Sequence, residues 1–366
     1  MTNESLLNED WPGIVVQLGG AESLDTTARR TKALVRRREI TNAVDLLRLI
    51  LAYCLGKRGL RLTASWAAAI GLADISNVGL LNRLRQSGEW LALLIGQMLA
   101  TSVPKATHGR LIRIIDATTV PKAGPVARKK SHLWRIHSAF DLPQERFGHF
   151  ELTDQTAGET LDRIPAVKGE IRLGDRAYLQ PDRMGAVLEQ GADFVIRAGW
   201  KSAHWLDAEE RPLDLIATLR AGTAAGLIDQ PIWIKRKSAA PLGLRLVAVK
   251  KPEAAAEEAR RRARRDAQRE GHQVSQQTLE AADWVILVTS LDVKEFATDE
   301  ILALYRLRWR IELAFKRLKS LIGLKAPPGI DERSARPYVL AHLLMILLLE
   351  PLLDEFEDSP RSAQAA

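Results

Sequence analysis

The chain has 366 residues, a formal net charge of +8 at pH 7 and a sequence pI near 9.6. This length allows two or three domains around a substantial core, and the basic balance indicates a polyanionic partner. The single cysteine, Cys54, excludes an internal disulfide framework and favours a reducing cytoplasm, and the acidic N-terminal stretch is unlike a signal peptide. The most apolar run, residues 339–349, is short for a bilayer and contains His342, so we expect a buried helix and no membrane partner.

Residues 1–105 are predicted to form a helical N-terminal domain that binds DNA. We expect residues 1–25 to be a loose leader and linker. Apolar periodicity then predicts helices over residues 43–55, 63–70, 76–85 and 88–99. Short helices with arginine-rich edges are typical of DNA-binding domains, and residues 62–85 have the length of a helix-turn-helix. The alternative is a helical bundle that only packs on the next domain.

After Pro104 the pattern changes to short apolar runs, which predict strands. A helix is predicted over residues 180–190, and a shorter one starts within residues 160–164. The predicted strands are residues 111–116, 133–140, 146–153, 171–174 and 193–197. Three antiparallel strands followed by alternating helix and strand indicate a mixed α/β sheet, the order of a ribonuclease-H-like core. Residues 106–198 are therefore predicted to form the first part of this core.

Residues 199–290 interrupt that order and are predicted to form a β-rich insertion domain. Strands are expected over residues 231–237, 244–250 and 284–290. Residues 252–271 predict a highly charged helix with six arginines, which is either a solvated face or a surface that follows a DNA backbone. Residues 291–366 would hold the second part of the core and the C-terminal helices.

The stretch YRLRWRIELAFKRLK, residues 305–319, has no Gly or Pro and predicts one continuous helix. At 3.6 residues per turn, Tyr305, Arg308, Glu312 and Lys319 fall along one flank. A carboxylate on a basic face is expected if the face lies against phosphate and the carboxylate holds a metal ion there. A solvated helix with ion pairs such as Glu312–Lys316 is the alternative.

Two further carboxylates, Asp116 and Asp175, lie at the C-terminal ends of predicted strands, where α/β sheets present side chains to ligands. Asp also favours turns and caps at such positions. With Glu312 they would supply three hard oxygen ligands, which suit Mg²⁺ or Mn²⁺ rather than zinc. Two such ions can activate water on one side of a phosphodiester and stabilise the leaving oxygen on the other.

Three motifs resemble those of bacterial insertion-sequence transposases with an Asp-Asp-Glu triad. Asp116 in IDATTV and Asp175 in LGDRAY resemble the two aspartate motifs of that family. The resemblance spans about residues 30–349 and includes the order of a helical N-terminal domain, a core and a β-rich insertion. The signature of the cut-and-paste branch, Tyr-x2-Arg-x3-Glu-x6-Lys, is matched by Tyr305, Arg308, Glu312 and Lys319.

The resemblance implies roles for these residues. The catalytic residues, which would also bind two Mg²⁺ or Mn²⁺ ions, would be Asp116, Asp175 and Glu312. The side chains that hold phosphates near the transposon end would be Tyr305, Arg308 and Lys319. Trp309 resembles a position that accommodates a flipped base, and Trp284 resembles the position that stacks on it. For each tryptophan, packing inside the protein is the alternative.

The resemblance also implies the reaction and the partners. The protein would cleave transposon ends through a DNA hairpin and join them to target DNA. It would act on double-stranded DNA in the bacterial cytoplasm, associated with the nucleoid, as a homodimer in the complex that pairs two ends. The alternatives are a metal-dependent nuclease on the same core and a catalytically inactive, transposase-derived repressor that binds DNA.

Overall fold

The computed structural model describes residues 10–35, 39–56, 58–101, 109–121, 133–142, 146–154, 156–308 and 331–357. Its N-terminal part is helical, and four of the helices lie within three residues of the predicted positions. The N-terminal helices are α1 (Trp11–Gln17), α2 (Gly20–Arg30), α3 (Ala43–Leu55), α4 (Leu60–Ala69), α5 (Asn77–Gln86) and α6 (Gly88–Thr101).

The loose leader predicted for residues 1–25 is wrong from residue 11 onward, because α1 and half of α2 lie there. Trp11, Ile14 and Leu24 are buried against the other helices. The Asp25 carboxylate accepts a hydrogen bond of 2.7 Å from the backbone N–H of Ala43 and so caps the first turn of α3. Tertiary packing of a few apolar residues therefore orders helices that are too short to show a clear period.

The strands that the structure describes form one mixed sheet in the order β3-β2-β1-β4-β5-β9-β8-β7-β6. Strands β1, β4 and β5 are parallel, and every other neighbouring pair is antiparallel. The first five strands have the order of a ribonuclease-H-like core, which confirms the predicted fold class. The strands are β1 (Ile112–Pro121), β2 (Leu133–Leu142), β3 (Arg146–Asp154), β4 (Ile171–Gly174), β5 (Asp193–Arg197), β6 (Trp205–Leu206), β7 (Leu227–Ile234), β8 (Leu242–Lys250) and β9 (Trp284–Thr289).

The strands of the predicted insertion extend the core sheet. Strand β9 pairs with β5 on one side and with β8 on the other, so β6, β7 and β8 continue the same hydrogen-bonded surface. The division of the chain into domains stays a prediction. The remaining helices are α7 (Pro181–Glu189), α8 (Leu215–Ala221), α9 (Glu253–Arg269), α10 (Gln276–Ala282), α11 (Thr298–Arg306) and α12 (Glu332–Glu357).

The sheet is covered on both faces. On one face Ile114 and Leu173 pack in a first core with the N-terminal helices, α11 and α12. On the other face Ile115 and Phe194 pack in a second core with α7, α8 and α10. In the ranges given above, no helix is long and apolar enough to cross a membrane.

The short helix predicted to start within residues 160–164 is absent, and this segment forms turns. Arginine side chains donate hydrogen bonds to carbonyl oxygens of this segment and of the residues just before it. Arg172 donates to the backbone oxygen of Leu161, and Arg163 donates to that of Gly158 at 3.1 Å. The segment therefore caps a buried arginine instead of closing helical hydrogen bonds.

Candidate active site

Asp116 and Asp175 lie side by side on adjacent parallel strands. The last paired positions of β1 and β4 are Ile114 and Leu173, and each aspartate comes two residues later. Because side chains alternate along a strand, both carboxylates leave the sheet on the face of the first core. Strands β1 and β4 therefore present these two carboxylates at one edge of the paired region.

The local backbone differs at the two aspartates. Asp175 follows β4 directly, and its carboxylate caps a 3₁₀ turn by accepting from the N–H of Ala177 at 2.8 Å. Asp116 was expected to end its strand, but β1 continues to Pro121 because β2 pairs with it along that whole length. Asp116 therefore stands inside a strand, at the point where β4 has ended.

The Asp116 carboxyl is electrostatically strained. Burial raises its pKa to about 7, and the nearby carboxylates of Asp175 and Glu159 also raise the pKa. The N–H of Ala117 and the Arg308 guanidinium act in the opposite direction. A bound divalent cation would favour the ionised form of such a carboxyl, and paired carboxylates are the oxygen donors that Mg²⁺ and Mn²⁺ prefer. The donor set therefore fits a divalent ion.

Tyr305 and Arg308 stand beside the two aspartates. The Arg308 guanidinium carbon lies 5.9 Å from the centroid of the Tyr305 ring. Burial raises the pKa of Tyr305, and so does the carboxylate of Asp175, while Arg308 and Arg197 lower it. Four residues of the site predicted from the sequence are thus brought together from distant parts of the chain: Asp116, Asp175, Tyr305 and Arg308.

The continuous helix predicted over residues 305–319 is wrong at its start. Helix α11 ends at Arg306, and the N–H of Arg308 bonds to the carbonyl of Tyr305 at 3.1 Å in a tighter turn. Tyr305 lies in the last turn of the helix and Arg308 lies just beyond it. Since this turn uses neither Gly nor Pro, the sequence gives no signal for it.

Three predicted site residues, Trp309, Glu312 and Lys319, lie outside the described residues. The third carboxylate therefore has no observed position. In the part of the chain that is described, no group of three or more His, Cys, Asp and Glu side chains has the geometry of a metal site.

Trp284, the predicted stacking residue, opens β9 and is only 4% exposed. Its indole packs in the second core near Ile228. A Cβ atom placed on Gly222 would lie 2.4 Å from Ile228 Cγ1 and 3.6 Å from the indole Cη2, so the glycine leaves room for Ile228 beside the ring. This environment favours the core interpretation of Trp284 over the stacking interpretation.

Comparisons with known proteins agree on one family. A family model described as "Transposase DDE domain" matches residues 107–348. A protein of Escherichia coli strain K12, named as the InsL transposase of insertion sequence element IS186A, is 36% identical over 364 residues, which cover 97% of each chain. The transposase for insertion sequence element IS421 of Escherichia coli is 36% identical over 365 residues, again 97% of each chain. The chain belongs to the DDE transposase family.

Among solved structures, a cryo-EM structure of a piggyBac transposase synaptic complex with hairpin DNA shares 11% sequence identity with this transposase. The match covers 92% of this chain and 73% of that chain, with a TM-score of 0.47. Membership of the family makes this protein a DNA-cleaving and strand-transferring enzyme. The family generally uses divalent metal ions.

The transposase also has charged residues at the site that the sequence interpretation missed. Arg197 ends β5, next to β4, and Arg176 follows Asp175. Burial and these two arginines lower the pKa of Lys251 to about 8, against the effect of Asp283. Because β5 lies next to β4 and runs parallel to it, a charged residue at the end of β5 could have been predicted to lie near Asp175.

Glu159 is a further missed residue, on the segment between β3 and β4. Its carboxylate pairs with Arg135 at 3.3 Å, and its backbone oxygen accepts from the side chain of Gln180 at 2.7 Å. Burial raises the pKa of Glu159, Arg135 lowers it, and Asp175 raises it. Nothing in its local sequence, GET, distinguishes it from a surface loop residue.

Proposed function

We propose that this transposase moves its element by a cut-and-paste reaction in which Asp116, Asp175 and Glu312 are the catalytic triad. The observation that carries the proposal is the adjacency of Asp116 and Asp175, with Tyr305 and Arg308 beside them. The spacing from Tyr305 and Arg308 to Glu312 supports the third member.

The triad would hold two Mg²⁺ or Mn²⁺ ions. When bound, such ions activate water and stabilise the leaving oxygen of a phosphodiester. The half-buried carboxylates of Asp116 and Asp175 supply oxygen ligands of the required kind. Glu312 would complete the set, and Glu159, held by Arg135, adds to the negative field at this edge.

Four phosphodiester exchanges would follow one another at this site. Water first cleaves one strand at the element end and leaves a 3′-hydroxyl. That hydroxyl attacks the opposite strand, which closes a DNA hairpin and releases the flanking DNA. Water then reopens the hairpin, and the regenerated 3′-hydroxyl attacks a phosphodiester of the target. Each step forms one P–O bond and breaks another.

The basic groups at the site would position the DNA. Arg308, Tyr305 and Lys319 would bind phosphates close to the reacting bond, as the Tyr-Arg-Glu-Lys spacing implies. Trp309 would accommodate the base that leaves the stack when the hairpin closes, since stacking of a base on an aromatic ring contributes about 1–3 kcal/mol. Trp284 is not included because it packs in the core.

The partner would be double-stranded DNA, both the terminal repeats and the target. Residues 1–105 would bind the terminal repeat, with α4 and α5 as the candidate helix-turn-helix. Two ends must be joined to one target, so the active complex would contain a homodimer. This activity would take place on the nucleoid of a bacterial cytoplasm.

The deciding experiment uses a labelled end fragment of the element with flanking DNA, incubated with Mg²⁺, Mn²⁺ or EDTA and separated on a denaturing gel. A metal-dependent nick followed by a hairpin band is expected, and both should be lost in Asp116→Asn and Glu312→Gln. Asp299→Asn is the control, because Asp299 is an exposed carboxylate on α11. Cleavage without joining would instead indicate a nuclease, and metal-independent retardation of DNA without cleavage would indicate a repressor.

A further inference from the structure

Helix α9 carries a strongly basic surface outside the candidate active site. Its buried residues are Ala256 and Ala267, and the helix packs against the neighbouring helix α10. Residues 260–269 contain six arginines and a single acid, Asp266. We name as the arginine surface the exposed members of this set, which are Arg261, Arg262, Arg264, Arg265 and Arg269.

Ion pairs neutralise only part of this charge. Arg260 is the anchoring residue: it pairs with Asp283 at 2.6 Å and with Glu253 at 2.5 Å, and it is less exposed than the others. Glu258 is shared by Arg261 and Arg265, and Asp266 lies 3.9 Å from Arg269. Exposed pairs of this kind are weak, so the guanidinium groups remain available to a stronger anionic ligand.

The helix begins next to the candidate active site. It follows β8, whose last residue, Lys250, pairs with Trp284 at the edge where β5 ends in Arg197. Burial and the charges of Arg197 and Arg176 lower the pKa of Lys251. Burial also lowers the pKa of Arg176, and the charge of Asp175 acts against it. With 17 residues, α9 is about 25 Å long. Measured along the helix axis, the arginine surface therefore lies at most about 25 Å from this basic edge.

The arginine surface and the N-terminal helices belong to opposite sides of the sheet. Helix α9 packs on α10, and Ala281 of α10 belongs to the second core. The N-terminal helices belong to the first core on the other face. A DNA duplex held by the N-terminal domain and a duplex held by α9 would thus approach the site from different sides.

We propose that the arginine surface of α9 binds the sugar–phosphate backbone of target DNA; this inference rests on the function proposed above. Target DNA has no fixed sequence, and arginine contacts to phosphate require none. Flanking DNA is covalently continuous with the bound element end, so its effective concentration is already high. Target DNA arrives by diffusion and needs a binding surface of its own.

The test compares two triple variants of the full chain. Arg261→Gln/Arg265→Gln/Arg269→Gln removes three guanidinium groups spaced four residues apart, and Gln keeps a similar helix propensity. The control, Arg211→Gln/Lys237→Gln/Lys294→Gln, removes the same charge from exposed residues elsewhere: Lys237 and Lys294 follow the opposite ends of β7 and β9, and Arg211 lies in the loop after β6. A pre-cut, labelled element end is joined to a plasmid of unrelated sequence, with plasmid concentration and salt varied.

For the α9 variant we expect a higher half-saturating plasmid concentration and a weaker salt dependence, with unchanged binding and nicking of the element end. Loss of three phosphate contacts should reduce the log–log salt slope by about 2.7. Between 50 and 200 mM salt the wild type should then lose about 40-fold more affinity for the plasmid than the variant does. The control variant should behave like the wild type.

Three results would overturn the inference: unchanged plasmid saturation in the α9 variant, an equal loss in the control, or a loss confined to nicking of ends that carry flanking DNA. The last result would mean that the arginine surface binds flanking DNA instead of target DNA. A wild type that neither cuts nor joins under any metal would instead refute the proposed function and, with it, this inference.

Discussion

Asp116 and Asp175 occupy equivalent positions on two adjacent parallel strands, each two residues beyond the pair Ile114–Leu173. One aspartate comes from inside β1 and the other from the cap of a 3₁₀ turn after β4. The two carboxylates therefore share an edge of the sheet although 59 positions separate them in the chain. Burial raises the pKa of Asp116, the charge of Asp175 adds to that rise, and this shift leads to the first prediction.

Asp116 should make the metal-free protein less stable as the pH rises. In the unfolded chain its pKa is near 3.8, and in the fold it is about 7. Between these values the folded state keeps a proton that the unfolded chain loses, so the stabilising contribution present below pH 4 is lost by pH 7. At about 1.4 kcal/mol per pH unit, Asp116→Asn should gain about 2–3 kcal/mol over the wild type between pH 5 and pH 8.

Urea unfolding in EDTA at both pH values measures this difference. Asp299→Asn, an exposed carboxylate, is the control and should track the wild type. Added Mg²⁺ should raise the stability of the wild type at pH 8 more than that of Asp116→Asn, because the ion binds the folded, ionised form. A difference that is equal at pH 5 and pH 8 would show that burial does not shift this carboxyl.

A buried ionic network should fix the strands that carry the two aspartates. Arg113 of β1 binds Asp141 of β2 through two hydrogen bonds of 2.6 and 2.8 Å, and it pairs with Glu170 at 2.9 Å. Glu170 also pairs with Arg172 of β4 at 2.6 Å, and the four side chains are at most 8% exposed. Removing one member leaves buried charges without their partner.

We therefore expect Arg113→Met to lower the free energy of unfolding by about 3–5 kcal/mol. Arg211→Met removes an exposed arginine and should change it by less than about 0.5 kcal/mol. Urea denaturation followed by tryptophan fluorescence gives both values. A loss below about 1 kcal/mol for Arg113→Met would mean that the network contributes little to the fold.

Regular patterns in the sequence predict most helices and strands, but not the ends that are determined by contacts with neighbouring elements. Strands β4 and β5 match their predicted bounds because their apolar runs are short and sharply ended. Strand β1 extends past Asp116 only because β2 pairs with it, which a single-strand pattern does not contain. Similarly, α11 ends at Arg306 by a tightened turn without a breaking residue.

The candidate site shows the same limit. Asp116, Asp175, Tyr305 and Arg308 could be selected because each belongs to a motif with a defined spacing. Arg197 and Glu159 come to the site through strand adjacency and an ion pair with Arg135, and neither relation is visible along the chain. Trp284 shows the opposite case, since an aromatic residue near a motif packs inside the protein.

The environment of Trp284 predicts a structural role that can be separated from base stacking. Trp284→Ala should lower the free energy of unfolding by about 3–5 kcal/mol, because it leaves a cavity in the second core. Trp284→Phe keeps an aromatic ring and should cost less. At temperatures where Trp284→Phe is folded, it should form the hairpin intermediate at the wild-type rate. A denaturing gel of timed samples measures that rate.

Trp309→Ala is the comparison for that assay. If Trp309 accommodates the flipped base, its loss should reduce the hairpin band at unchanged nicking. A strong loss of hairpin in Trp284→Phe, with normal thermal stability, would contradict the core role of Trp284.

Arg308 should support catalysis in two ways, by lowering the pKa of Asp116 and by binding a phosphate. Its guanidinium favours the ionised form of Asp116 and lies close to Tyr305. Arg308→Gln removes one charge-assisted contact, which corresponds to about 1.5–3 kcal/mol, so we expect the nicking rate to fall by about 10- to 160-fold. The rate should also reach its plateau at a higher pH, since the Asp116 carboxyl would ionise later.

Single-turnover nicking across pH 6 to 9 measures both effects. Arg308→Lys keeps the charge and should restore the pH profile, but only part of the rate, because Lys lacks the planar donor pair. Arg306→Gln removes an exposed arginine two residues earlier and is the matched control. An unchanged pH profile in Arg308→Gln would show that the arginine acts on the DNA alone, and equal rates for Arg308→Gln and Arg306→Gln would remove Arg308 from the site.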